Sequence, residues 1–306
     1  MTSMPVASQP LTGQESVKKP AARRTGAWSA PTLPCRLWLG CLTVNLDPAA
    51  EQVLHERIPQ EAMRLIEAAA EGSMTLRVAG SIAVRFHGAA HAPLLDAMGR
   101  RLFRDIDFWG YSKQQSQLER MFEKDGYMAD PTIWQAHEWG VKRLIFEHPE
   151  THVKVDVFMD ELVMSHTIEF KGRLEMDSPT ICLADLLLSK LQIHEVTEND
   201  LMDMSVLLAE HDFGSQDRES IDLDHIARIL GGDWGYWYTT LDNIAKCDEA
   251  LDRYSAMSPD LTGIVRKRLS LMREKIESAP KSTRWKLRAK VGTRTRWYEE
   301  VNEVGR

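Results

Sequence analysis

The stretch Arg104-Asp-Ile-Asp-Phe-Trp-Gly110 places two carboxylates two residues apart inside an otherwise apolar run. Folded as a strand, it sends Ile106 and Phe108 to one face and Asp105 and Asp107 together to the other. Two like charges side by side repel, which suits either open water or the neighbourhood of a cation. An Asp-x-Asp pair with a glycine at the sixth position also opens a calcium-binding EF-hand loop. That loop needs an oxygen ligand at its fifth position and a bidentate Glu at its twelfth, where this chain has Trp109 and Ser116. The calcium loop is excluded.

A third carboxylate stands in Val153-Lys-Val-Asp-Val-Phe-Met-Asp160. Read as a strand, Val155 and Val157 take one face and leave Asp156 on the other with Lys154 and Phe158. If the two strands are neighbours, Asp156 meets Asp105 and Asp107. Three converging carboxylates call for a hard cation such as Mg²⁺ (or Mn²⁺), and two such ions can clamp the attacking and leaving oxygens of an in-line phosphoryl displacement. Gly80-Ser81, at a strand end and a helix start, offers a seat for phosphate through free N–H groups and the helix dipole. The plain alternative for that pair is a tight turn with a helix cap. Lys190 lies on a stripe with Leu183, Leu186, Leu187 and Leu191; it either runs past the core edge to solvent or reaches the phosphate seat. Asp200 and Asp203 share a helix face, for which solvent exposure is an equal explanation.

The elements that must position these residues are legible in the pattern. Pro48 fits the first position of a helix capped by Asp47, and Gly72 stops it. "MTLRVAG" reads as a strand, "SIAVRFHG" as a helix and 112–126 as a helix with Ser112 and Gln115 in a capping box. Residues 141–160 read as a hairpin around His148-Pro149-Glu150, and 166–176 as one more extended stretch. From Pro179 onward only amphipathic helices follow, the last two basic. The expected fold is a mixed α/β half followed by an all-helical C-terminal half. The expected boundaries are a disordered leader over 1–46, an α/β domain over 47–178 and a helical domain over 179–306 with a basic C-terminal segment.

The leader is rich in Pro, Ser, Thr and Ala and lacks a continuous apolar core, so a secretory signal is excluded; disorder or a transit peptide fits it. No run approaches the length of a membrane span. Cys35, Cys41, Cys182 and Cys247 are scattered without CxxC pairing, which suits packing in a reducing cytoplasm. The chain carries a net charge of −7, yet residues 266–296 hold twelve Lys/Arg against two acids. A basic segment on an acidic body suits a polyanion or a solvated helix face, and Arg284, Lys286, Arg288 and Lys290 are its candidate contacts. Trp285 and Trp297 within it suit either packing or base stacking.

Strand, Gly-Ser, helix, strand with Asp-x-Asp, helix and a strand with a third Asp: this order resembles the nucleotidyltransferase superfamily, which has the polymerase β-like fold. Within it, residues 75–210 are most similar to the abortive-infection (AbiEii-type) nucleotidyltransferases, a group that includes toxins. The likeness includes Arg101, four residues before Asp105, and the segment "LADLLLSKLQ…ENDLMDM". The resemblance implies an α/β (α+β) nucleotidyltransferase domain with a mixed sheet. It implies that Asp105, Asp107 and Asp156 hold Mg²⁺ (or Mn²⁺) and act with Lys190 in catalysis. It places Gly80, Ser81, Arg101, Asp200 and Asp203 around the nucleotide. The chain departs from the group's pattern at Asn199, where a lysine is usual, at Ala79, where a second glycine is usual, and at Phe103 before the Asp-x-Asp. The usual arginine is missing from "IHEVTEND", and the stretch between Ser81 and Asp105 is long.

The expected activity is transfer of a nucleoside monophosphate from an NTP such as ATP to an acceptor hydroxyl, by two-metal catalysis in a cytoplasmic protein. Candidate partners are an RNA or tRNA acceptor and an antitoxin-like protein. A degenerate nucleotide- or RNA-binding protein and a metal-dependent phosphoesterase are the alternatives.

Overall fold

The computed structural model describes residues 48–100, 103, 105–130, 142–215 and 219–300. The leader, Asp47, Cys35, Cys41 and Arg101 lie outside the described residues.

Helix α1 (Pro48–Glu71) opens the described chain and ends before Gly72, as its proline and glycine require. Its residues Ile58, Ala62, Leu65, Ile66 and Ala69 recur at helical spacing and are all buried. Strand β1 (Leu76–Val78), helix α2 (Gly80–His87) and the short α3 (Ala92–Ala97) lead to β2 (Asp105–Gly110). Helix α4 (Gln115–Lys124), β3 (Met128–Ala129), β4 (Arg143–Glu147) and β5 (Lys154–Met159) complete a five-stranded sheet in the order β1-β2-β5-β4-β3. Only the β2–β5 pairing is parallel, so the sheet is mixed. Strands β6 (Glu161–Val163) and β7 (Thr167–Glu169) pair separately. The extended stretch expected over 166–176 is therefore only three residues of strand.

The capping box expected at Ser112 does not form. Residues 112–114 make a 3₁₀ turn and the helix begins at Gln115 with no side-chain cap. Ser112 instead gives both its backbone N–H and its hydroxyl to Asp160, a stronger acceptor beyond the end of β5.

The second half is helical: α5 (Leu183–Leu191), α6 (Glu198–Glu210), α7 (Leu223–Gly232), α8 (Trp234–Ala250), α9 (Pro259–Ser278) and α10 (Thr283–Val291). Helix α5 is buried nearly all round, with Leu183, Leu186, Leu187, Leu188 and Leu191 fully enclosed. Side chains of Thr197, Asp222, Asp233, Ser258 and Ser282 cap the five helices that follow. One continuous apolar core runs from Ile58 through the sheet to Ile276. Cys182 and Cys247 are buried thiols outside any disulfide. No helix among the described residues is long and apolar enough to cross a membrane.

Candidate active site

Strand β2 carries Asp105 and Asp107 half-buried on one face while Ile106 and Phe108 are fully enclosed on the other. Strand β5 repeats the alternation, with Val155 and Val157 enclosed and Asp156 half-buried. The parallel register sets Asp107 directly beside Asp156, and Asp105 beside Lys154. Cross-strand neighbours on one face stand within contact of each other. The three carboxylates therefore share one side of the central strand pair.

The N-terminus of α2 is folded onto this face. The backbone N–H of Ala79 donates to the carbonyl of Asp107 at 2.8 Å. Gly80 follows with φ +61°, a conformation that favours glycine. A Cβ added at Gly80 would stand 2.2 Å from Oδ2 of Asp107, so no side chain fits there. Ala79 is the residue that caps α2, without any side-chain hydrogen bond. Ser81 lines a narrow recess with Arg85, Arg100 and Asp203.

Burial, and then the charges of Asp105 and Asp156, push the Asp107 carboxyl up to about 7, while Lys190 and Arg143 pull it down. Among the described residues no group of three His, Cys, Asp or Glu stands as a ready cage for a metal ion. Asp156 is turned toward Arg143, whose Nη2 lies 2.5 Å from its Oδ2. The donors, Asp105, Asp107 and Asp156, are hard carboxylate oxygens, the ligand type that suits Mg²⁺ or Mn²⁺.

Lys190 runs neither to solvent nor to an open phosphate seat. It is buried, and its Nζ stands 2.9 Å from both Asp200 Oδ1 and Asp203 Oδ2. Burial opposes its charge, but Asp203 and Asp200 more than offset that and raise its pKa. Asp203 also takes a two-pronged contact from Arg100, with Nε at 2.7 Å and Nη2 at 2.9 Å. Asp200 doubles as the third residue of the capping box that Thr197 opens on α6. So the two acids expected to surround the nucleotide are engaged by Lys190 and Arg100, not exposed on a solvated face. Asp105 in turn adds to the electrostatic hold on Arg100.

Sequence reasoning missed Arg100 and Arg143. Arg100 sits in a loop without periodicity, and its partner Asp203 is 103 residues away, so no local signal marked it. Arg143 did carry one. The hairpin register puts Ile145 opposite Asp156 and Arg143 opposite Phe158, hence on the face of Asp156.

In the basic segment, Arg284, Lys286 and Lys290 are exposed on α10. Arg288 is committed within the chain: it donates to the carbonyls of Gly292, Thr295 and Arg296 and lies 4.9 Å over the Trp234 ring. Trp285 packs edge-on against Trp237 at 5.1 Å, and Trp297 donates from its Nε1 to Thr239. Packing accounts for both tryptophans.

No family model matches the chain, and no curated protein matches it. Among solved structures, a crystal structure of the lincosamide antibiotic adenylyltransferase LnuA with lincomycin bound aligns over 48% of this chain and 94% of that chain. The identity is 17% and the TM-score 0.34. A likeness this slight transfers nothing to the chain, whose site has to be argued from its own residues.

Proposed function

We propose that the chain is a nucleotidyltransferase, moving a nucleoside monophosphate from an NTP to an acceptor hydroxyl with release of pyrophosphate. One observation carries this reading: Asp107 and Asp156 stand side by side on parallel strands, with the glycine-led start of α2 closed onto Asp107. Carboxylates next to free helix-start N–H groups unite a seat for cations with a seat for phosphate.

Asp105, Asp107 and Asp156 would hold Mg²⁺ or Mn²⁺, which when bound supplies Lewis-acid polarisation of the phosphoryl oxygens. The N–H groups of Gly80 and Ser81 face the triphosphate. Arg100 and Lys190, fixed through Asp203, stand beside the site with their charge partly offset by Asp203 and Asp200; the Lys190 charge, already felt at Asp107, acts on the charge that develops on the leaving pyrophosphate. Asp156 accepts the proton of the acceptor hydroxyl on a carboxylate oxygen. The acceptor is RNA in this proposal, met through phosphates by Arg284, Lys286 and Lys290 on α10.

The full-length chain incubated with Mg²⁺, each labelled NTP in turn and total RNA tests the reading. Label joined to RNA supports it. Free phosphate would point instead to a phosphoesterase, and retention of nucleotide without turnover to a degenerate binding protein.

A further inference from the structure

Arg143 of β4 stands beside the carboxylate face. From β4 it reaches diagonally across the antiparallel register to Asp156, with Nη2 2.5 Å from Oδ2. Its guanidinium lies 5.1 Å from the centre of the Phe158 ring, on the same face of β5. Its Nε is buried with no hydrogen-bond partner. A buried donor left unpaired is costly, so this position of Arg143 is held by the carboxylates and not by a complete set of hydrogen bonds. The same guanidinium helps hold down the raised pKa of Asp107 next door.

A divalent cation seated on Asp156 would stand beside this guanidinium, and the two positive charges would repel each other. Resting on the metal-site reading above, we propose that Arg143 is a built-in competitor for the divalent cation: it neutralises Asp156 in the metal-free chain and is released when the metal enters. Arg143 thus sets the metal concentration at which the site fills, and it keeps an empty carboxylate cluster from straining the fold.

The test uses the full-length chain with Mn²⁺ alone, free Mn²⁺ being read by electron paramagnetic resonance, together with thermal melts in EDTA. Arg143→Met should bind Mn²⁺ roughly tenfold more tightly than the wild type, the size expected when entry of the metal no longer has to break one partly exposed ion pair. The same variant should melt lower in EDTA and recover with saturating Mn²⁺. Arg143→Lys keeps a charge but not the fork, so it should fall between the two, and it decides the matter if the Met variant does not fold. Mn²⁺ affinity that is unchanged or weaker in these variants, in a chain whose Mn²⁺ binding is lost in Asp107→Asn, overturns the role of Arg143 alone. Absence of any Asp107-dependent Mn²⁺ binding overturns the metal site and this inference with it.

Discussion

Two aspartates, the half-buried Asp107 and the fully enclosed Asp185, show how differently one fold treats the same group. Asp185 on α5 is 1% exposed and has a donor at every turn. It accepts from Arg173 Nε at 2.8 Å, from His225 Nε2 at 3.0 Å and from the Cys182 thiol at 3.0 Å. Burial would raise its pKa, but the His225 hydrogen bond and the Arg173 charge hold it below the ordinary carboxylate value. Asp107 meets burial and two further carboxylates, and its pKa climbs to about 7. One acid is satisfied by the fold and ties the segment around Arg173 to α5 and α7. The other meets more negative than positive charge, as the proposed metal site would require.

Asparagine substitutions separate the two acids. Asp107→Asn should lower Mg²⁺-dependent transfer by roughly 10³-fold. It should leave metal-free stability unchanged or raised, since a repelled charge is removed. Single-turnover assays alongside melts in EDTA check both halves, and wild-type turnover in the variant would sink the site. Asp185→Asn should do the opposite. It removes the buried charge that the half-buried Arg173 guanidinium contacts at 2.8 Å, at a cost of about 3 kcal/mol by urea unfolding. A stability equal to wild type would show that the Asp185 network is not what joins these elements.

Lys190 is an intermediate case. Lys190→Met suits the leucine stripe, but it removes a charge that both Asp200 and Asp203 contact at 2.9 Å. Neither acid is left bare, because Asp203 keeps Arg100 and Asp200 keeps the N–H and hydroxyl of Thr197. The expected loss is about 1–3 kcal/mol, smaller than at Asp185, with a lower transfer rate at saturating NTP. A variant with full stability and full rate would mean that Lys190 serves neither the fold nor the reaction.

What was legible beforehand follows the range of the interactions. The alternation in 104–110 and 153–160 assigned Asp105, Asp107 and Asp156 to polar faces, and the strand pairing then set Asp107 beside Asp156. Pro48 and Gly72 marked α1 for local reasons; the capping box that Thr197 and Asp200 form at the start of α6 is equally local but went unread. The pairing of Asp203 with Arg100 depends on a chain reversal of 103 residues, which no spacing encodes. Ser112 is instructive in the other direction. Its local pattern promised a cap, and a tertiary partner, Asp160, took the hydroxyl.

His166 is a buried titratable group that avoids the cost of a buried charge by staying neutral. It is 7% exposed, shares a hydrogen bond at 2.9 Å with the Thr239 hydroxyl and lies 5.0 Å from the parallel ring of Tyr236. Burial lowers its pKa to about 4; Asp233 pulls upward and His194 downward, and neither reverses the shift. Unfolded, the imidazole titrates near its ordinary 6.5. Above that pH neither state binds the proton and the stabilisation is fully present. As pH falls from about 6.5 toward 4, only the unfolded chain takes the proton up, so stability drops by as much as about 3 kcal/mol. His166→Gln, which keeps a polar group facing Thr239, should remove up to one proton from the pH dependence of unfolding across that window. Urea titrations of both proteins at several pH values between 4 and 7.5 measure the difference. Parallel curves would mean that His166 is protonated in the folded protein as readily as in the unfolded one, and that burial at this position is compensated as it is at Asp185.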